Sequence, residues 1–267
     1  MKILLYVNPD KDKNGKYFNR IKTLFYKHGL EFDLLTDDLK IDRDSYSAMF
    51  VIGGDGTLLR RTEIACLNDI PIIGINIGRL GFLTEFEIDE TEDAITLFKS
   101  GKLVKDERLT LKIQYRDKTY YALNDASFSR LYEENTRMVV NLGIKIGSAK
   151  MRTLIGDGAV IATPTGSTAY SLAAGGPIIE PNEDVICVTP LAAHSFSARS
   201  IVCSAHNPCS ITHEGGANVG LFVDGKLVET LKEKDVVSVS RAERKTVFLR
   251  KDGFDFFSRL NKKLQDR

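Results

Sequence analysis

Apolar and polar positions alternate between two patterns in the first hundred residues. Short apolar runs predict buried strands at KILLYV (2–7), EFDLL (31–35), YSAMFVI (46–52) and PIIGI (71–75). Apolar residues at helical spacing predict helices over residues 14–28, 58–67 and 89–100, the second of about three turns. Gly29 and Gly101 stand where the first and third helices should stop. Strands that alternate with helices indicate an α/β domain with a mostly parallel sheet.

Beyond residue 100 the pattern changes to short β segments separated by turn residues. The predicted strands lie in TLKIQYRDKTYYAL (110–123), RMVVNLGI (137–144), VICVTP (185–190), VGLFVDGKLVET (219–230) and VVSVS (236–240). Asp117 and Lys118 predict a polar turn within the first of these, and Asp224-Gly225 is a hairpin signal. One helical interruption is predicted over residues 168–174, and helical spacing returns over residues 254–264.

These patterns predict three parts along the chain. Residues 1–100 form an α/β domain, and residues 101–250 form a mainly β domain. Residues 251–267 form a C-terminal helix that packs back on the first domain. No internal repeat or low-complexity segment is visible in the sequence.

The amino-acid composition excludes several classes of partner and segment. The chain has 267 residues, 43% of them apolar, which is enough to bury a substantial core. Its 37 Lys and Arg nearly cancel its 36 Asp and Glu, so no long-range field attracts nucleic acid or an anionic membrane. The first apolar run is too short for a signal peptide or a membrane span. We expect a cytoplasmic protein that binds neither nucleic acid nor membrane and that holds any anion at a local site.

Cysteine and histidine spacing offers no protein metal site. The four cysteines contain no CxxC pair and are expected to be structural thiols; they are Cys66, Cys187, Cys203 and Cys209. The four histidines show neither metal-ligand nor triad spacing, and no GxSxG elbow accompanies any serine.

The stretch VIGGDGTLL (51–59) lies between a predicted strand and a predicted helix. Backbone N–H groups at such a junction suit a phosphate, and glycines let the backbone approach it closely and take positive φ. The stretch is not a Walker loop, because neither GxxxxGKS nor GxxxxGKT occurs in the sequence, and it is not a dinucleotide fingerprint, because the third glycine position holds Leu59. Asp55 is its unusual member: a carboxylate near phosphates must accept a proton, orient a hydroxyl or face Mg²⁺, all roles in phosphoryl transfer. The alternative is that Asp55 caps the following helix.

Two further stretches place polar groups at the start of a predicted helix and at the end of a predicted strand. TPTGSTAYSLAAGGP (163–177) offers hydroxyls and amides at a helix start, which suit phosphate or ribose, although an ordinary capped helix explains them too. Asn124 and Asp125 end an apolar strand and can bind adenine or ribose, or simply form a turn.

Together these stretches resemble the NAD kinase family. The resemblance rests on GGDGTLL (53–59), NIGRLGFLTEFE (76–87), LND (123–125), GDG (156–158), TPTGSTAYSLAAGGP (163–177) and VDG (223–225). GGDGT is shared with diacylglycerol-type lipid kinases and more loosely with phosphofructokinases, whereas the 163–177 stretch is specific to NAD kinases.

The resemblance implies a fold, a reaction and an assembly. It implies that the α/β domain of residues 1–100 binds nucleotide through its GGDGT loop, that the β domain of residues 101–250 carries the NAD site, and that the site lies between them. The implied reaction moves the γ-phosphate of ATP to the 2′-hydroxyl of the adenosine ribose of NAD, giving NADP, with Mg²⁺ entering through ATP. Homodimers or homotetramers are implied.

Several residues take implied roles by position. Asp55 matches a general base toward the ribose hydroxyl, with Gly54 and Gly56 supplying backbone contacts. Asn124 and Asp125 match a pair that holds the dinucleotide. The substrate pocket is implied to be lined by Thr168, Ala169, Tyr170, Ser171 and Ala173.

Other positions match the family less directly. Asp157 matches the acid of a GDG motif, which some members precede with arginine where this chain has Ile155. Arg152 lies three residues earlier and could supply the charge. Asp224 matches an aspartate near the site in some members, or only makes its hairpin turn. Arg79 is a candidate phosphate or subunit contact outside this set.

Two rival functions remain at this point. A lipid kinase would share the GGDGT motif but should present an apolar entrance or a basic membrane face. The balanced charge does not indicate either feature. A non-catalytic dinucleotide sensor should lack an acid at the reactive hydroxyl, whereas Asp55 is present.

Overall fold

The computed structural model describes residues 1–36, 38–43, 45–78, 81–132, 139–195 and 198–265 of the 267. The chain divides into two compact units. The first unit joins Met1–Glu107 to Thr246–Arg267, and the second is Arg108–Lys245. No helix in the described ranges is both long and apolar enough to cross a membrane.

The elements are numbered in chain order within the described residues. The strands are β1 (Lys2–Val7), β2 (Glu31–Leu34), β3 (Ala48–Gly53), β4 (Ile72–Asn76), β5 (Phe86–Glu87), β6 (Val104–Arg108), β7 (Leu111–Tyr115), β8 (Lys118–Ala122), β9 (Asp125–Arg130), β10 (Val140–Ile146), β11 (Ala149–Lys150), β12 (Leu154–Gly156), β13 (Gly158–Ala162), β14 (Val185–Leu191), β15 (Ile201–Ser204), β16 (Cys209–Gly216), β17 (Val219–Val223), β18 (Lys226–Leu231), β19 (Val236–Arg241) and β20 (Thr246–Arg250). The α-helices are α1 (Lys16–Lys27), α2 (Asp55–Leu59), α3 (Thr62–Leu67), α4 (Thr91–Lys99), α5 (Tyr170–Ala173) and α6 (Phe256–Gln265), with 3₁₀ helices at Ile88–Glu90 and Thr165–Thr168.

The first unit is built on one sheet with strand order β2-β1-β3-β4-β20-β6, and β5 also pairs with β4. Strands β1, β2, β3 and β4 pair in parallel, as do β4 and β20. Every residue of β3 and β4 is buried, as expected for parallel strands covered on both faces. The predicted α/β unit with a mostly parallel sheet is confirmed.

The predicted helix over residues 58–67 is wrong as a single element. It is two short helices, α2 and α3, that separate at Arg60 and Arg61. The Arg61 N–H bonds the Leu58 carbonyl, three residues back, and the Thr62 hydroxyl donates to the Leu59 carbonyl. These local bonds replace the helical ladder at that point.

The second unit contains two antiparallel sheets. One has the order β11-β10-β16-β19-β7-β8, with β12 on β10, and the other has the order β15-β14-β13-β9-β17-β18. Leu111 and Ile211 of the first sheet and Phe128 and Ile161 of the second belong to one buried apolar cluster. The mainly β prediction is confirmed. The turn predicted at Asp117 and Lys118 falls one residue earlier, because Lys118 already pairs with Tyr115.

The last strand and helix return to the first unit. In β20, Phe248 pairs with Ile72 of β4, and in α6 the Phe256 ring lies 6.3 Å from the Phe82 ring. The predicted packing of the C-terminal helix on the first domain is therefore confirmed. The compact units divide after Glu107 and Lys245, rather than at residues 100 and 250, because β6 and β20 both extend the first sheet.

Candidate active site

The glycine-rich stretch joins β3 to α2, and Gly54 is the residue that precedes the helix. Its φ is −122°, so the expectation of positive φ is wrong here. Close approach explains the glycines better. A Cβ on Gly53 would stand 2.5 Å from the Thr57 side chain, whereas a Cβ on Gly56 would meet nothing within 4 Å. Gly56 is exposed, so a ligand can reach the backbone at this point.

The Asp55 carboxylate accepts three consecutive backbone N–H groups. Phe82 donates to Oδ2 at 2.7 Å, while Leu83 and Thr84 donate to Oδ1 at 3.1 and 3.3 Å. Residues 81–84, here called the 81–84 loop, pack directly on this carboxylate. A Cβ on Gly81 would stand 1.8 Å from Asp55 Oδ1. Asp55 is the first residue of α2, and its carboxylate bonds this loop, which argues against the helix-cap alternative.

Polar residues that follow neighbouring strands surround the glycine stretch. The Lys11 ammonium donates to the Ile77 carbonyl at 3.2 Å and lies 3.0 Å from the position of a Cβ on Gly54. Asn76, at the end of β4, is 2% exposed, and its Nδ2 has no partner among the described residues. Sequence reasoning missed both residues. The available signal is topological, because β1 and β4 flank β3 and their carboxyl ends share one edge of the sheet.

A second cluster forms around Asp224 in the second unit. Its carboxylate accepts the N–H groups of Leu123, Asn124 and Asp125 at 2.9, 2.7 and 3.2 Å. Asp224 also has φ 47° in the turn between β17 and β18. Asp224 thus makes the predicted hairpin turn and also bonds the backbone of the LND segment, while its place near a substrate site stays a prediction.

Asp125 is 4% exposed. Burial, reinforced by the Asp224 carboxylate, raises the pKa of the Asp125 carboxyl to about 7. This carboxyl therefore keeps its proton to a higher pH than an ordinary aspartate, and in the protonated form it can donate as well as accept a hydrogen bond.

The 163–177 stretch packs on the LND segment. The Thr163 N–H bonds the Asn124 carbonyl at 2.8 Å, and a Cβ on Gly166 would stand 2.0 Å from the same oxygen. The proposed pocket residues differ in access. Ser171 is fully buried and its hydroxyl lies 2.9 Å from that of Thr189, whereas Tyr170 is 44% exposed. Of the remaining proposed pocket residues, Thr168 and Ala169 are half-buried and Ala173 is exposed.

Asp157 and Arg152 lie apart from that cluster. The Asp157 carboxylate pairs with the Arg130 guanidinium at 3.3 Å, a partner that sequence reasoning missed. Arg152 lines a cavity of about 310 Å³ together with residues that include Val188 and Pro190 of β14. Alternate residues of a strand face opposite sides, so this cavity lies on the other face of β14 from Thr189 and Ser171.

His194 is exposed, and its backbone N–H bonds the Ile155 carbonyl. Arg79 lies outside the described residues. Within the part of the chain that the structure describes, no group of three or more His, Cys, Asp or Glu side chains is arranged to hold a metal ion.

Known proteins match the chain along most of its length. The family model of the ATP-NAD kinase N-terminal domain matches residues 3–103, and that of the C-terminal domain matches residues 129–251. The NAD kinase of Caldicellulosiruptor bescii is 33% identical over 266 residues, and the match covers 100% of each chain. That of Fusobacterium nucleatum is 33% identical over 99% of this chain and 97% of its own.

Solved structures share the fold. Yeast NADH kinase complexed with NADH has a TM-score of 0.87 at 23% identity and covers 99% of this chain and 87% of its own. An NAD kinase from Archaeoglobus fulgidus in complex with ATP has a TM-score of 0.79 at 21% identity over the whole of both chains. With both domain models and full-length relatives in agreement, the chain belongs to the NAD kinase family.

Proposed function

We propose that the protein transfers the γ-phosphate of ATP to the 2′-hydroxyl of the adenosine ribose of NAD, giving NADP and ADP. Family membership makes it an enzyme, a kinase that acts on NAD, because NAD kinases match it over its full length. The observation that carries the proposed chemistry is Asp55, which follows a buried parallel strand and lies beside the exposed Gly56.

Asp55 is proposed as the general base. A carboxylate has about four acceptor positions, and its Oδ2 receives only the Phe82 N–H among the bonds described. Oδ2 therefore keeps capacity to accept the proton of the ribose hydroxyl. As that proton leaves, the hydroxyl oxygen attacks the γ-phosphorus, the bond to the β-phosphate oxygen breaks, and ADP departs. A positioned general base is worth about 10² to 10⁴ in rate.

The two units are proposed to serve different substrates. The first supplies the GGDGT loop to ATP, with Gly54 and Gly56 as backbone contacts. The second supplies the NAD residues, with Asn124 and Asp125 holding the adenosine ribose and Asp224 fixing their backbone. Pocket walls are proposed for Thr168, Ala169, Tyr170, Ser171 and Ala173. The Ser171 hydroxyl already contacts Thr189, which favours a shaping role.

Asp157 and Arg152 are proposed as more distant contributors to the NAD site. The Arg130 partner of Asp157 neutralises that carboxylate and so reduces its repulsion of a diphosphate. Arg152 is exposed and would supply positive charge to a ligand that reaches its cavity.

Phosphate charge is proposed to be balanced by Mg²⁺ that arrives with ATP and by Lys11. The described residues form no cluster of metal ligands, and the N–H groups of the 81–84 loop occupy most of the acceptor positions of Asp55. These residues therefore fit an ion that the nucleotide carries better than one held by the protein alone. When bound, Mg²⁺ neutralises phosphate charge. The Lys11 ammonium, next to Gly54, adds a fixed positive charge.

We also propose a cytoplasmic homo-oligomer, a dimer or a tetramer, that binds neither nucleic acid nor membrane. The balanced charge supports the absence of polyanionic partners. The four cysteines are free thiols, which supports a reducing compartment.

ADP release with Mg-ATP tests the function, comparing NAD, diacylglycerol and no acceptor. Turnover with NAD and formation of NADP are expected. Turnover with diacylglycerol would favour the lipid kinase, and NAD binding without ADP release would favour the sensor.

Asp55→Asn tests the general base, with Asp93→Asn on the exposed face of α4 as the matched control. We expect Asp55→Asn to stay folded and lose most of kcat, while the control keeps it. A folded Asp55→Asn enzyme with near-normal kcat would exclude the general-base role.

A further inference from the structure

Arg259, on the C-terminal helix α6, bonds the 81–84 loop through backbone carbonyls. Its Nη1 donates to the Thr84 carbonyl at 2.6 Å and to the Gly81 carbonyl at 3.3 Å. Its Nη2 donates to the Glu85 carboxylate at 3.3 Å. Its side chain is 14% exposed. A guanidinium that spends two donors on one short loop restricts where that loop can lie.

The same loop holds Asp55 by its opposite side. One planar peptide joins the Gly81 carbonyl, which accepts from Arg259, to the Phe82 N–H, which donates to Asp55 Oδ2. The two hydrogen bonds therefore share one rigid unit, so a rotation of that peptide plane changes both. Thr84 provides a second link, because its N–H donates to Asp55 and its carbonyl accepts from Arg259.

Side-chain contacts hold the N-terminus of α6, the helix that carries Arg259. The Asp255 carboxylate accepts the Phe257 N–H at 2.9 Å and the Ser258 N–H at 3.2 Å, which begins α6. The Phe254 ring contacts two guanidiniums, with its centroid 4.3 Å from Arg250 Cζ and 4.8 Å from Arg259 Cζ. Because α6 is held at its start, the position of Arg259 is well defined.

Arg250 shows why Arg259 is the better test site. The Arg250 side chain is fully buried and pairs with both Glu85 and Asp106, so its removal would disrupt two buried ion pairs at once. Arg259 keeps some exposure, and Glu85 retains Arg250 when Arg259 is lost.

We infer that Arg259 is a positioning residue for Asp55, acting through the 81–84 loop to hold the Asp55 carboxylate in its reactive orientation. The inference rests on the proposed role of Asp55 in phosphoryl transfer. It makes the C-terminal helix part of the catalytic apparatus, although Arg259 itself is assigned no contact with either substrate.

Kinetics test the inference with Arg259→Ala, Arg259→Lys and the control Lys262→Ala, an exposed cation on the same helix. A misplacement of about 1 Å can cost on the order of 10²-fold in rate, so Arg259→Ala should lower kcat by that order with little change in KM for ATP or NAD. Arg259→Lys should recover part of the loss, because its ammonium can reach one carbonyl. Unchanged kcat in folded Arg259→Ala protein would overturn the inference.

A double variant separates positioning from a purely structural role. In an Asp55→Asn background, adding Arg259→Ala should cause little further loss of kcat, because the group that Arg259 orients is already disabled. Two independent losses that multiply would overturn the inference. Melting temperatures of all variants show whether a lost rate merely follows lost folded protein.

Hydrogen exchange decides the question without relying on activity. The amides of Phe82, Leu83 and Thr84 should exchange faster in Arg259→Ala than in Lys262→Ala, because the loop no longer holds them on Asp55. Unchanged protection would overturn the inference whether or not the enzyme makes NADP. Absence of NADP formation by the unmodified protein would instead reject the proposed function.

Discussion

The buried carboxyl of Asp125 makes stability depend on pH in a direction opposite to that of a salt-bridged aspartate. Asp125 is 4% exposed, and burial together with the Asp224 carboxylate raises its pKa to about 7 from 3.8. In the unfolded chain the same carboxyl is hydrated and ionises near pH 4. Between these two values the folded protein binds a proton that the unfolded chain has released.

The sign of the effect follows from that proton. Between about pH 4 and pH 7 the folded state carries the extra proton, so raising the pH favours the unfolded chain and lowers the free energy of unfolding. Above about pH 7 both states are ionised and the loss is complete. The two pKa values differ by about 3 pH units, and each unit is worth roughly 1.4 kcal/mol, so the full penalty is about 4 kcal/mol.

Asp125→Asn removes the titrating group at nearly constant shape. We expect the free energy of unfolding of the variant, measured relative to that of the unmodified protein, to rise by roughly 1.4 kcal/mol per pH unit between pH 5 and 7. Above pH 8 the difference between the two proteins should be constant. Urea unfolding followed by circular dichroism measures the gap, since the chain has no Trp to serve as a fluorescence probe. Asp93→Asn, at an exposed position, is the control for the substitution itself. A gap for Asp125→Asn that does not change with pH would refute a raised pKa.

Three further perturbations follow from single contacts. Gly81→Ala places a Cβ 1.8 Å from Asp55 Oδ1 and should lower kcat on the order of 10²-fold in a coupled NADP assay. Lys11→Ala removes the cation beside Gly54 and should raise KM for ATP by about 10-fold or more, whereas Lys13→Ala in the same loop should leave it unchanged. His213 is 3% exposed and neither ring nitrogen has a partner among the described residues, so His213→Leu should raise the free energy of unfolding by about 1 kcal/mol in urea titrations. A variant less stable than the parent would show that the imidazole is solvated or bonded.

The main elements of the fold could be predicted because parallel strands covered on both faces leave an apolar signal. Runs such as residues 2–7 and 71–75 coincide within one residue with β1 and β4, as their composition indicates. The break between α2 and α3 carries no such signal. At the break the Thr62 hydroxyl bonds the Leu59 carbonyl, and threonine is common enough in helices that its presence does not predict a break.

Motifs in the sequence point to the proposed acids of the candidate site but not to the residues that contact them. GGDGT and LND single out Asp55 and Asp125 by motif, yet Lys11, Arg130 and Arg259 carry no local signature. Arg259 bonds residues that precede it by 174 to 178 positions, and no spacing rule encodes a contact of that range.

Asp55 and Asp224 show how surroundings assign different roles to one arrangement. Each carboxylate accepts three consecutive N–H groups, two on Oδ1 and one on Oδ2. Beside Asp224 lies the buried carboxyl of Asp125, whose raised pKa keeps the two neighbouring acids from both being charged below about pH 7. Beside Asp55 lie the exposed backbone of Gly56 and, at Gly54, a lysine ammonium, which leave room and charge for a phosphate. The same hydrogen-bond geometry therefore organises a loop in one unit and, in the other, also leaves a carboxylate oxygen for the proposed contact with the ribose hydroxyl.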